Sequence, residues 1–240
     1  MKRGIAEWMS LGLAVALVAG VGGVAAAANW IATPATGPIA IDGNAQDWNL
    51  DQLPPEAAIV LSPSTSTVEG AIASDDEASG KVYVKYDDQA VYVLGVMKDD
   101  NVVGDATGGG IYQNTCIELW FNLGDQTLPA EPGDYGNYGA EDYQINLTPK
   151  VGGEDKAYYY VFPGSKAEYN DNGSIDVAAQ LVPGGYVIEA RIPKDKFPGM
   201  AGITKGARFG FAVSLVHVGQ NGSWNHMWAI AREYDPVVVQ

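Results

Sequence analysis

Apolar and polar residues alternate over short stretches through most of the chain, with the two-residue period of strands rather than the longer period of helices. KVYVKY (81–86) and AVYVLGVMK (90–98) flank the turn DDQ and predict an antiparallel hairpin. YQNTCIELWFN (112–122), DYQINLT (142–148), AYYYVF (157–162), IDVAAQLV (175–182), YVIEARI (186–192), RFGFAVSLVHV (208–218) and WNHMWAIA (224–231) extend the pattern, separated by Gly, Pro, Asn and Asp. Evenly spaced short strands of this kind indicate an all-β fold, an antiparallel β-sandwich of jelly-roll type or a barrel. Helix signals are nearly absent; PKDKFPGM predicts a single turn begun by Pro193 and ended by Pro198. The stretch through SPSTSTVEG and SDDEASG reads as loop. No linker or internal repeat divides the chain, so residues 29–240 are expected to form one sandwich, with 124–141 as a long excursion from it.

Alternation also assigns faces. In 112–122 it sends Ile117, Leu119 and Phe121 to one side and Cys116, Glu118, Trp120 and Asn122 to the other. The first side is a core. A carboxylate beside a large aromatic ring is costly to bury, which predicts that the second side opens to solvent. In DYQINLT, Tyr143, Ile145 and Leu147 point inward while Asp142, Gln144, Asn146 and Thr148 point outward. In SWNHMWAI, Trp224, His226 and Trp228 share a face opposite Asn225, Met227 and Ala229. Two tryptophans on one face can cap a core or form a stacking platform, and alternation leaves both readings open. Beside Glu118 and Trp120, the amides become a hydrogen-bonding patch flanked by aromatics, which is what sugar hydroxyls and sugar faces require.

Composition changes the picture at the amino terminus. Lys2 and Arg3 precede an apolar run from Leu11 to Ala28 that ends in small residues, so residues 1–28 are expected to be a secretory signal peptide cleaved near Ala27 or Ala28. An uncleaved anchor is the rival reading, because the run is about as long as the shortest bilayer span. Either way the protein is expected to be secreted, periplasmic or held at the cell surface. The formal charge is −15, and losing the leader removes two basic residues and one acidic residue. Nucleic acid and anionic membranes are therefore poor partners. The acidic residues fall in loops, at Asp75–Glu77, Asp87–Asp88, Asp99–Asp100 and Glu141–Asp142. They read as a solvated surface or as oxygen ligands for calcium, although no EF-hand spacing occurs. Cys116 is the only cysteine, which excludes an intrachain disulfide and predicts a buried or half-buried small residue.

Catalytic signatures are missing: there is no GxSxG elbow, HExxH, Walker loop or His-rich cluster. Glycoside hydrolysis needs two converging carboxylates, and Glu118 and Glu189 are the candidates. Arg191 follows Glu189 on the same strand face, which favours a structural pairing there.

With these blocks in view, the chain resembles family 9 carbohydrate-binding modules within the wider DOMON-like sandwich group, from about Pro38 to Trp228. IAIDGNAQDWN resembles the opening Ile-Asp-Gly motif, with Asp47 and Trp48 following. KVYVKYDDQAVYVLGVMKDD, YQNTCIELWFN, GGYVIEARIP, and GARFGFAVSLV followed by Trp match four further blocks in order. The resemblance implies a non-catalytic, secreted β-sandwich that recognises sugar or polysaccharide termini and is stabilised by calcium. It further implies that Tyr112 and Trp228 clamp the sugar, with Glu118, Trp120, Gln144 and Asn146 completing the floor. Departures are visible: Tyr112 replaces a Trp, Asn114 an acidic residue and Gln144 an Arg, while Ser214 and Val216 stand where polar amides are expected.

Two other functions remain open on the sequence. A related subgroup holds b-type haem, for which Met97, Met227 and His226 are the available ligands, although the two methionines alternate like core residues. A structural role, by self-association or cell-surface assembly through exposed strand edges, is the other, and the strand-like VVVQ tail would serve it. Sequons occur at Asn146, Asn172 and Asn221, and a glycan on Asn146 excludes that residue from a small sugar site.

Overall fold

The computed structural model describes residues 30–124, 139–163, 173–230 and 237–239. The leader expected at 1–28, most of the 124–141 excursion, Asn172 and Gln240 lie outside the described residues. Among the described residues, thirteen strands follow in order: β1 (Ile31–Pro34), β2 (Ile59–Leu61), β3 (Thr67–Glu69), β4 (Ala78–Tyr86), β5 (Ala90–Asp99), β6 (Cys116–Asn122), β7 (Tyr143–Thr148), β8 (Tyr158–Pro163), β9 (Asp176–Val182), β10 (Gly185–Pro193), β11 (Arg208–Val218), β12 (Trp224–Ile230) and β13 (Val237–Val239). The predicted hairpin is β4–β5, in antiparallel register with Tyr86 opposite Val91.

The strands form two layers. The first runs β8-β7-β6-β11-β12-β3. In the second, β4, β5, β10 and β9 lie side by side, with β2 along one part of β4 and β1 along its end. β1 is the parallel exception, pairing that way with both β4 and β13; β13 in turn runs antiparallel to β11 and ties the layers together along one edge. The short β2 and β3 occupy the stretch expected to be loop; the expected turn after Pro193 forms, with Lys196 N–H donating to the Pro193 carbonyl (3.2 Å), and Pro198 opens a further 3-10 turn, Pro198–Gly202. Proline suits that first position because its fixed φ matches a helical turn and its missing N–H is not needed there.

The core lies between the layers. Ile117, Leu119 and Phe121 meet Val82, Val93 and Ile188 there, joined by Ile145, Leu147, Val213, Leu215 and Met227, as alternation assigns them. Met97 and Met227 are buried in this core, and His226 points to the opposite side of β12, so the haem ligands considered above do not converge.

The outer face of the second layer is covered by the chain's own beginning. Trp48, Tyr83, Tyr92 and Leu94 form a separate cluster packed by Ile39, Ile41, Leu50 and Leu53. Glu189 on β10 is its polar centre. Its carboxylate accepts hydrogen bonds from Trp48 Nε1 (2.6 Å) and from the backbone N–H groups of Asp42 (3.1 Å), Gly43 (2.6 Å) and Asn44 (3.1 Å). Arg191 pairs instead with Asp176 at 3.4 Å, so the structural role expected of Glu189 holds but its partners are different. Gly43 has φ +81°, and a Cβ there would lie 2.7 Å from the backbone carbon of Ala179, so only glycine lets this loop close on the sheet.

Candidate functional site

The outer face of the first layer carries the residues singled out above. Register places Gln144 beside Trp120, and sets Asn146, Glu118, Ser214 and Trp228 in one row across β7, β6, β11 and β12. The sequence assigns the right face to all of them. The expectation that this face is open does not hold: Glu118 is 3% exposed, and Trp120, Gln144 and Asn146 are buried with it.

Part of the cover is the turn that precedes β6. The 3-10 turn Gly108–Gln113 packs on β6, β7, β8 and β11. A Cβ on Gly109 would sit 3.3 Å from the Tyr160 ring. Asn114 anchors the turn by exchanging hydrogen bonds with Ala106 N (2.8 Å) and O (3.1 Å), and Thr115 accepts from Val103 N. Tyr112 thus belongs to this turn, and β6 begins only at Cys116.

The buried row is linked by hydrogen bonds. Gln144 Nε2 donates to Asn146 Oδ1 (3.1 Å), Asn146 Nδ2 to Glu118 Oε1 (3.1 Å) and Ser214 Oγ to Glu118 Oε2 (2.9 Å). Two side-chain donors are few for a carboxylate, which has about four lone-pair sites. Burial outweighs them and pushes the Glu118 carboxyl up to about 7. His226 Nε2 lies 3.7 Å from Glu118 Oε2, beyond hydrogen-bond reach, and burial pulls its imidazole down to about 4. His226 Nε2 and Trp120 Nε1 are both buried without a hydrogen bond.

Aromatic rings continue the row toward solvent. Trp228 lies 5.1 Å from Trp120 and 4.7 Å from His226, and His226 lies 3.9 Å from Trp224. The ring facing Tyr112 is Trp224, at 6.1 Å and 82°, with Trp224 Nε1 donating to the Tyr112 carbonyl (2.9 Å). These two rings are 40% and 42% exposed. With Gln113, Val218 and Gly222 they line a cleft of about 390 Å³. The structure therefore brings Glu118, Trp120, Gln144, Asn146 and Trp228 together, and sets Tyr112 against Trp224 at the cleft. Trp224 was legible as a face-mate of Trp228; what the sequence lacks is the loop that shows which of the two reaches Tyr112.

The acidic loops are largely consumed by the fold. Asp87 accepts from Gln89 N, Ala90 N and Tyr92 OH, and Asp142 accepts from the N–H groups of Leu123, Gly124 and Gly139. Cys116 is fully buried, which raises its thiol pKa and leaves it inert. Among the described residues, no helix is long and apolar enough to cross a membrane.

Comparison with known proteins agrees with this architecture. None of the curated proteins is a significant match to the chain. Two solved carbohydrate-binding modules of family 9 from Caldicellulosiruptor kristjanssonii share the fold. One, in complex with cellotriose, superposes with a TM-score of 0.60 at 15% identity, covering 88% of this chain and 93% of that one. The other, in complex with glucose, gives 0.57 at 16% identity, covering 87% and 94%. The family model described as "Carbohydrate family 9 binding domain-like" matches residues 41–233, and the chain belongs to that family.

Proposed function

We propose that this protein is a secreted, non-catalytic carbohydrate-binding module that takes glucose-containing oligosaccharides at the Tyr112–Trp224 cleft. The observation that carries this reading is the pair of half-exposed aromatic rings on a cleft of about 390 Å³, joined through His226 to a buried row of carboxylate and amides. Sugar rings present flat C–H faces that stack on aromatics, and their hydroxyls need polar partners at the edges. The related modules are in complex with cellotriose and with glucose, which supports the same ligand class here.

The rings are too close for a sandwich as they stand. A guest between two aromatic faces needs about 7 Å, two contact distances of 3.5–4.0 Å, whereas Tyr112 and Trp224 meet edge-on at 6.1 Å. The sugar therefore stacks on the exposed face of one ring and meets the edge of the other, with the Gln113 amide at the rim. Glu118, Gln144 and Asn146 act as positioning residues beneath it, with Trp120 and Trp228, holding His226 under Trp224. Non-catalysis is supported by placement: Glu118 and Glu189 lie on outer faces of different layers and cannot flank one glycosidic bond.

Calorimetric titration with cellotriose and with glucose tests this. Binding by the wild type that falls about tenfold or more in Trp224→Ala and in Tyr112→Ala is expected. Absence of binding to either sugar, or full affinity in both variants, contradicts it.

A further inference from the structure

A second cluster lies where β5 and β11 end, apart from the Glu118 row. Asp99 closes β5, Asp100 follows it, His217 is the penultimate residue of β11, and Glu77 directly precedes β4. The backbone N–H of Asp100 donates to the Glu77 carbonyl (3.0 Å), which fixes the two acidic residues next to each other. His217 is completely buried between them. Its Nδ1 lies 3.2 Å from Asp99 Oδ1, and its Nε2 lies 3.4 Å from Glu77 Oε1 and 3.8 Å from Asp100 Oδ1. Despite this company, Nε2 makes no hydrogen bond, and neither does the buried Asp99 Oδ2.

We propose that this cluster binds a divalent transition-metal ion of the zinc type, with His217 Nε2 and the carboxylates of Asp100 and Glu77 facing the ion. Asp99 is the positioning residue: it holds the Nδ1–H and so presents Nε2 as the lone-pair nitrogen, the arrangement that metal-bound histidines use. The spacing fits. Zinc holds nitrogen and oxygen ligands at about 2.0–2.2 Å, and at tetrahedral angles neighbouring ligands then lie roughly 3.3–3.5 Å apart. Glu77 already has that distance from Nε2, and Asp100 needs a shift of a few tenths of an ångström.

Charge points the same way. Among the described residues, the only basic side chain ion-paired with Asp99, Asp100 or Glu77 is His217, because the nearby Lys98 is taken by Asp76 at 2.9 Å. Asp99, Asp100 and His217 each offer a ligand atom within 4.8 Å of the others, and Glu77 adds a carboxylate oxygen 3.4 Å from Nε2. Three carboxylates around one buried imidazole leave a deficit of positive charge that a divalent ion offsets. The side chains of Asp100 (43% exposed) and Glu77 (26%) give the ion a path from solvent. An imidazole ligand selects transition metals over calcium, which prefers oxygen donors throughout.

The test is calorimetric titration of zinc chloride and calcium chloride into the full-length protein freed of metal by a chelator, at neutral pH. One zinc ion per chain, with calcium at least a hundredfold weaker, is expected. Asp100→Asn, a change at a solvent-exposed carboxylate, lowers zinc affinity about tenfold or more while leaving the melting temperature of the metal-free protein unchanged. His217→Asn abolishes zinc binding; if that variant does not fold, Asp100→Asn decides. Cobalt in place of zinc develops visible absorption bands that Asp100→Asn shifts. The proposal is overturned if zinc does not bind, if calcium binds as tightly as zinc, or if zinc binds Asp100→Asn with unchanged affinity. Sugar titrations in the presence of chelator report on the Tyr112–Trp224 cleft separately, so failure of one site is distinguishable from failure of the other.

Discussion

Glu189 and Glu118, the two buried glutamates among the described residues, lie on the outer faces of the two layers; burial raises both carboxyls, and what differs is the donors that meet them. Glu189 meets four donors, three of them backbone N–H groups from residues 145 to 147 positions away. Glu118 meets two, both side chains of its own sheet, beside two indole and imidazole nitrogens that have no hydrogen bond. The first is a lock, because both oxygens are engaged, Oε1 by the Trp48 indole and Oε2 by three backbone N–H groups, and the loop it holds seals an apolar cluster. The second is an under-bonded group with its carboxyl raised to about 7, adjacent to the exposed aromatic cleft. Burial alone does not separate structural carboxylates from functional ones; the count and origin of their donors does.

The sharpest way to break this comparison is to remove the lock. Glu189→Ala strands the Trp48 N–H and three backbone N–H groups in an apolar setting, and should cost about 3–5 kcal/mol in urea unfolding. A loss below about 1 kcal/mol would show that the loop is held otherwise.

A titration probes the Glu118 row next. Glu118 keeps, in the folded state, a proton that the unfolded chain has already released, so stability is lost as pH rises from 4.5 to about 7, by up to about 3 kcal/mol. His226, lowered to about 4, works in reverse: the unfolded chain takes up a proton that the folded chain refuses, so its contribution is lost as pH falls through the range from 6.5 to about 4. The two slopes oppose each other through most of that window. Chemical unfolding as a function of pH should therefore be flat in the wild type between about 5 and 6 and should fall above about 6.5. In Glu118→Gln it should rise steadily up to about 6.5. An unchanged profile in Glu118→Gln would place the titration elsewhere.

Gly43→Ala should lower stability by about 2 kcal/mol, since it combines a strained φ with a clash against β9, and it should leave sugar affinity unaltered. The smallest effect expected is on binding by Glu118→Gln, which keeps the shape of the row. Calorimetry should show a change below about fivefold, against the tenfold or greater loss in Trp224→Ala.

The sequence makes the faces readable and leaves the covers hidden. Alternation in CIELWFN and YQINLT separates Ile117, Leu119, Ile145 and Leu147 from Glu118, Gln144 and Asn146 correctly, because a strand's period of two is a local property. Whether the second side is open depends on contacts distant in sequence, such as the Gly108–Gln113 turn lying across four strands. The same limit applies to Glu189: its face is legible, but its partners come from the Ile-Asp-Gly loop at the other end of the chain. β2 and β3 span only three residues each, too few for alternation to register, and β3 pairs only through its neighbour β12. Tyr112 reads as the first residue of a strand only by extending the alternation of CIELWFN backward, although Gln113, Asn114 and Thr115 are all polar and break it. The three glycines before Tyr112 are the physical signal that the backbone there is not extended.

The most direct test of the central claim is a crystal structure of the protein with cellotriose bound. The account predicts a sugar ring stacked on Trp224, contacting Tyr112 and Gln113, with Glu118 intact below and still bonded to Asn146 and Ser214. Density for the sugar on another surface of the sandwich, with the Tyr112–Trp224 cleft empty, would contradict it.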